Sequence, residues 1–126
     1  MVKDTCEGRI RMEFIHVENV QQELNKKANK EVYIHLETTN GAYASHQDET
    51  FFNSGAYIRN AKLSFEYGKI TGNGPYRIGL KTDIGWVYAE GINHYEIDEK
   101  NRLLLAGLDF SGKLAVALEI SETPFE

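Results

Sequence analysis

Hydrophobic and polar positions divide this chain into one short helical stretch and a long series of alternating ones. In residues 17–29, Val17, Val20, Leu24 and Ala28 recur at helical spacing. Glu23 and Lys27 lie one turn apart, the spacing at which opposite charges support a helix. The apolar stripe is narrow, which predicts a helix lying against one side of a sheet or barrel. After Lys30 the period drops to two. Val32, Ile34 and Leu36 share one face of a strand, and Tyr33, His35 and Glu37 share the other. Asn40-Gly41 is a hairpin signal, because both residues tolerate positive φ. Residues 43–55 read as a polar loop with Phe51 and Phe52 tucked in.

Residues 56–71 form the longest alternating segment, with Ala61, Leu63, Phe65 and Tyr67 on one face. Its phase slips at both ends, which predicts a bulge or bend. Gly72-Asn73-Gly74-Pro75 turns the chain. Further short strands follow through Tyr76–Lys81, Trp86–Tyr88, residues 92–97, the apolar run Leu103–Leu108, and Leu114–Ile120. Turns at 82–85, 98–101 and 109–112 separate them. About seven or eight strands spaced roughly ten residues apart predict a small antiparallel, partly closed barrel or sandwich, with one N-terminal helix. The expectation is a single mainly-β domain over residues 1–126. Residues 1–12 are loosely ordered in this reading, and the β region spans about 32–121.

Charge narrows the function classes. The chain has 126 residues and a formal net charge of −5. With its basic residues scattered, it lacks the Lys/Arg field that phosphate backbones require, so no nucleic acid is expected as a partner. The tightest basic cluster, Lys26, Lys27 and Lys30, reads as a solvated helix face. No span approaches the roughly 18 apolar residues of a membrane helix. The N-terminal residues do not form a signal peptide. A lone Cys6 permits no intrachain disulfide. A cytoplasmic location is the expectation.

Two constellations carry candidate chemistry. His35 and Glu37 point to one side of a strand, roughly 7 Å apart along it. They suit a base with its orienting group, or two ligands of a metal with a third from His46 or Asp48. The plainer alternative is the polar face of a half-exposed strand. The second group is Tyr57, Arg59, Tyr76, Arg77, Trp86 and Tyr88. Gathered at a barrel mouth, these would suit a small anionic or sugar-like ligand. The alternative places Tyr76, Trp86 and Tyr88 in the core. The glycine-rich GNGPYR joins two strands rather than leading into a helix, so a turn is its expected use rather than a phosphate cradle. No serine sits in a G-x-S-x-G elbow. No cofactor is expected.

Several strings, taken in order, resemble the YojF family of small proteins from Bacillus-type bacteria: VYIHLETT (32–39), AYIRNAK (56–62), GNGPYRIGLKT (72–82), GWVYAEG (85–91), NRLLLAG (101–107) and GKLAVALEISETPF (112–125). The similarity covers roughly three-quarters of the chain, and the first dozen residues depart from it. The resemblance implies a compact β-rich fold with an N-terminal helix, and it transfers no catalytic residues. It also implies a gene neighbourhood shared with a zinc-dependent deacetylase of the bacillithiol pathway. This chain lacks the His-Pro-Asp-Asp stretch with which such deacetylases hold zinc. The expectation is therefore a non-catalytic accessory or binding protein, with an open sheet edge as the candidate surface for a homodimer.

Overall fold

The computed structural model of the protein describes residues 12–39 and 54–126. The chain runs β1 (Glu13–Phe14), α1 (Val17–Lys27), β2 (Val32–Thr39), β3 (Gly55–Leu63), β4 (Tyr67–Gly72), β5 (Tyr76–Lys81), β6 (Trp86–Ile92), β7 (His94–Ile97), β8 (Leu103–Leu108) and β9 (Leu114–Ser121). The strands form two antiparallel sheets. One has the order β1-β7-β8-β9-β2-β3, and the other β4-β5-β6. They face each other as a sandwich and do not close into a barrel. Of the two forms the alternation permitted, the sandwich is the one adopted.

The core lies between the sheets. Val32, Ile34, Leu103, Leu105, Leu118 and Ile120 come from the larger sheet, and Ile70, Ile78, Leu80 and Ala89 from the smaller. Val20 and Leu24 of α1 and Phe65 add to it, with Ile92, Tyr95 and Val116. Alternation puts these side chains on the inner face, and burying them supplies the main driving force.

The long alternating segment is two strands rather than one. The chain leaves the larger sheet after Leu63, buries Phe65, and enters the smaller sheet at Tyr67. The expected bulge lies at Asn60, whose φ of 58° breaks the register opposite Ile34 and His35. Its side chain then serves the C-terminal segment. Asn60 Nδ2 donates to the Phe125 carbonyl at 2.8 Å, and the Phe125 N–H donates to Asn60 Oδ1 at 2.6 Å. The buried Phe125 ring lies under the Arg59 guanidinium, with Arg102 also nearby.

Helix α1 starts where His16 Nδ1 accepts the Asn19 N–H, an N-cap role that propensity alone does not suggest. The basic cluster on this helix is not uniformly solvated. Lys27 is fully buried, and its ammonium donates to Glu23 Oε1 at 3.2 Å and to the Asn101 carbonyl at 2.9 Å. Burial would raise the Glu23 carboxyl. The hydrogen bonds and charges of Lys26 and Lys27 outweigh that and hold it below the usual carboxylate range.

The chain returns from the smaller sheet to the larger at Gly91, whose φ is 86°. Here Gly107 of β8 lies against the Gly91 carbonyl and the Val116 side chain, closer than any Cβ would allow. Two strand backbones thus meet at a corner of the sandwich with no side chain between them.

Candidate functional site

The outer face of the larger sheet carries a groove. Cross-strand register aligns Glu37 (β2), Ala117 (β9), Ala106 (β8) and His94 (β7) in one row, ending on Phe14 (β1). Two small side chains in the middle of that row leave a floor between taller walls. The space is about 760 Å³, and its lining includes Glu37, Glu119, His94, Met12, Leu108 and Leu114. That size falls within the range of sites for small organic ligands. Lys113 closes one end beside a turn in which Asp109 Oδ1 accepts the N–H groups of Ser111 and Lys113.

His35 and Glu37 meet as their spacing predicts, with His35 Nε2 3.0 Å from Glu37 Oε1. His35 is buried, and its Nδ1 has no hydrogen-bond partner. An ionised carboxylate only accepts, so Nε2 carries a proton in this pair. Beside them β3 places Tyr57 opposite Glu37 and Arg59 opposite His35. Arg59 also lies 3.9 Å from Glu119. The contact with Glu37 takes up Nε2 and leaves Nδ1 as the His35 nitrogen without a hydrogen-bond partner. Among the described residues, no group of three or more His, Cys, Asp or Glu side chains is arranged to hold a metal ion. His46 and Asp48, the suggested third ligands, lie outside the described residues, as do Cys6 and the Asn40-Gly41 hairpin signal.

The aromatic and basic group is divided between the sheets. Tyr57 and Arg59 flank the groove side of β2, whereas Tyr76, Arg77, Trp86 and Tyr88 belong to the smaller sheet. Trp86 and Tyr88 are not core, being 42% and 49% exposed. The inward positions of β6 are taken by Val87 and Ala89. Trp86 stacks on Tyr88 with centroids 5.3 Å apart, and Tyr67 meets Trp86 at right angles at 5.7 Å. Arg77, paired with Glu90 at 2.7 Å, lies over Tyr88. In cross-strand register Arg77 sits beyond Tyr88 from Trp86, so both faces of the Tyr88 ring are taken. Tyr76 packs against the core. In the GNGPYR segment residues 73–75 connect β4 to β5, with Gly72 and Gly74 at positive φ, so the segment turns the chain as the glycine pattern predicts.

His94 and the alanine floor carry no recognisable sequence signal. Ala106 lies within an apolar run and Ala117 within an alternating strand, and only the register shows that they face each other. The histidine has no motif around it.

Fold and groove define a small two-sheet antiparallel protein with a cleft of mixed polar and apolar lining on one outer face. The chain belongs to the family described as "Protein of unknown function (DUF1806)", whose model matches residues 14–125. It is 55% identical over 114 residues to the "Uncharacterized protein YojF" of Bacillus subtilis, covering 90% of this chain and 98% of that protein. The crystal structure of Bacillus subtilis YojF matches with a TM-score of 0.76 at 51% identity, covering 91% of this chain and 97% of that one. The family match begins at Phe14, so it omits the first dozen residues that depart from the family pattern. No helix among the described residues is long and apolar enough to cross a membrane.

Proposed function

We propose that this protein is a non-catalytic, cytoplasmic binding or accessory protein of small-molecule metabolism, and that it holds its ligand in the outer-face groove. The observation that carries this reading is the Ala106–Ala117 floor, with Glu37, Glu119, His94 and Lys113 among apolar side chains around it. Ala117→Leu fills the floor without touching the inner face. In a metabolite panel read by NMR, a ligand that shifts Ala106 and Ala117 in the wild type is expected to lose at least about tenfold in affinity to the variant. A ligand bound equally well by Ala117→Leu would show that the groove is not the site.

The accessory role has a candidate partner in a zinc-dependent deacetylase of the bacillithiol pathway, motivated by the family resemblance. A homodimer through β3, an edge of the larger sheet, is the corresponding self-association. The bulge at Asn60 and the charges of Arg59 and Lys62 obstruct the second half of that edge. This leaves Gly55–Ile58 as the pairing segment. Light scattering behind size exclusion, with this protein alone and with the deacetylase, tests both. A twofold mass alone and a co-eluting complex are expected. A strict monomer at tens of micromolar removes the dimer, and separate elution removes the partner.

A further inference from the structure

We infer that the groove binds a short aliphatic diamine, with one ammonium at Glu37 and Glu119 and the other at the Nε2 lone pair of His94. This rests on the reading of the groove as a ligand site and names the chemistry of that ligand.

The argument starts from Asn93. Its Nδ2 donates to the Leu108 carbonyl at 2.9 Å, and the Leu108 N–H donates to its Oδ1 at 3.0 Å. A backbone donor and a backbone acceptor of one residue thus fix which end of the amide is oxygen. That oxygen lies 2.7 Å from His94 Nδ1. Because Oδ1 only accepts, Nδ1 must carry the proton. A neutral imidazole has one N–H, so Nε2 keeps its lone pair. Asn93 is therefore a positioning residue that holds His94 in the tautomer less favoured by a free imidazole. Phe14, with its ring centroid 4.7 Å from that of His94, limits the ring's rotation.

The other groups on the lining set the ligand's charge and shape. Glu37 and Glu119 offer carboxylate oxygens on the β2–β9 side, with Glu37 Oε1 shared with His35 and Glu119 lying 3.9 Å from Arg59, and His94 offers an acceptor on the β7 side. Among the described lining residues the one permanent cation is Lys113, at the end of the groove beside the Asp109 turn. Glu37 and His94 are three strands apart, roughly 14 Å between backbones at the usual strand spacing. A histidine whose other nitrogen is held by an amide oxygen is a common metal ligand. One ion with bonds of about 2 Å does not bridge that distance. A linear molecule with a donor at each end does. Ala106 and Ala117, with Leu108 and Leu114, present an apolar surface suited to the methylenes between the donors.

The test is a heteronuclear NMR titration of the full chain with cadaverine, with pentylamine and glutarate as controls of similar length. Saturable shifts at Ala106, Ala117 and His94 are expected with cadaverine. Pentylamine should bind about tenfold more weakly for want of one charged hydrogen bond. His94→Phe keeps a ring against Phe14 but removes the lone pair, and should weaken cadaverine by a similar factor. His94→Gln, which can present an oxygen near the Nε2 position, should retain most of the binding. Imidazole nitrogen shifts of the wild type should show the Nδ1–H form, a readout independent of any variant's folding. The Nε2–H form, or equal binding of pentylamine and cadaverine, overturns the proposal. Glutarate binding at the same resonances overturns the diamine but leaves the groove a ligand site. A groove whose resonances respond to none of these, nor to the wider panel, removes both readings.

Discussion

Gly107→Ala is expected to destabilise the protein by about 3 kcal/mol, the upper part of the range for overpacking a well-filled interior. A Cβ at this position would collide with the Gly91 carbonyl oxygen and come within 2.7 Å of Val116 Cγ1. A flexible side chain could swing aside, but the first of these atoms is backbone. Relief requires separating the strands at the corner where the chain passes between sheets. Gly112→Ala is the control. That glycine has a φ of 85° with nothing within 4 Å of the added carbon, so only backbone strain of about 1 kcal/mol opposes the change. Urea unfolding of both variants separates the two effects. A Gly107→Ala midpoint as mild as that of Gly112→Ala would mean that the corner opens readily.

The second large effect concerns Glu23 and Lys27. Lys27→Ala removes one partner of a buried ion pair and leaves both the Glu23 carboxylate and the Asn101 carbonyl short of a donor. The expected loss is about 3 kcal/mol. It is moderated because Lys26 still reaches Glu23 at 3.1 Å. Replacing both partners, as in Glu23→Gln with Lys27→Met, should recover much of that loss, since two well-packed neutral side chains need no compensating charge. The pair also has a signature in acid. The folded-state carboxyl of Glu23 is held low, so the folded protein releases this proton more readily than the unfolded chain. The resulting stability is fully present above the unfolded value of about 4.3. It declines as pH falls through the lower folded value. The difference in unfolding free energy between wild type and Glu23→Gln, followed from neutral pH to about pH 3, should shrink across that window. A constant difference would show that the pair's charges contribute nothing to folding.

Much of the fold was legible because alternation reports a two-sided environment. The helix was expected over 17–29 and occupies Val17–Lys27. The turns at 72–75, 82–85, 98–101 and 109–112 fall where glycine, asparagine and aspartate mark them. Strand β1 leaves no signal in the sequence because two residues carry no period. Residues 56–71 looked like one strand because the phase of alternation does not say which sheet a strand joins. Trp86 and Tyr88 show the limit of hydrophobicity as a guide. Their size suggested core, yet the small neighbours Val87 and Ala89 face inward, and the rings close over Gly79 outside. Lys27 failed in the opposite sense: a charged residue in a basic run was buried because the Glu23 carboxylate and a carbonyl were waiting for it. Of the candidate site, His35 and Glu37 followed from strand spacing alone. The groove did not, since its floor is made by two alanines on strands whose pairing only the fold reveals.

The placement of Trp86 bears on how this molecule would be followed in solution. It is the sole tryptophan, and it stands on the outward side of the β4–β6 sheet, with the whole core between it and the groove. Its fluorescence should therefore stay nearly constant while a small molecule fills the opposite face, so an unchanged emission spectrum would not count against binding. The same isolation makes it a local reporter of one half of the sandwich. If its emission and the far-ultraviolet dichroism of all the strands change at the same denaturant concentration, the two sheets behave as one cooperative unit. If the emission moves first, the three-stranded layer peels away from a larger sheet that persists without it.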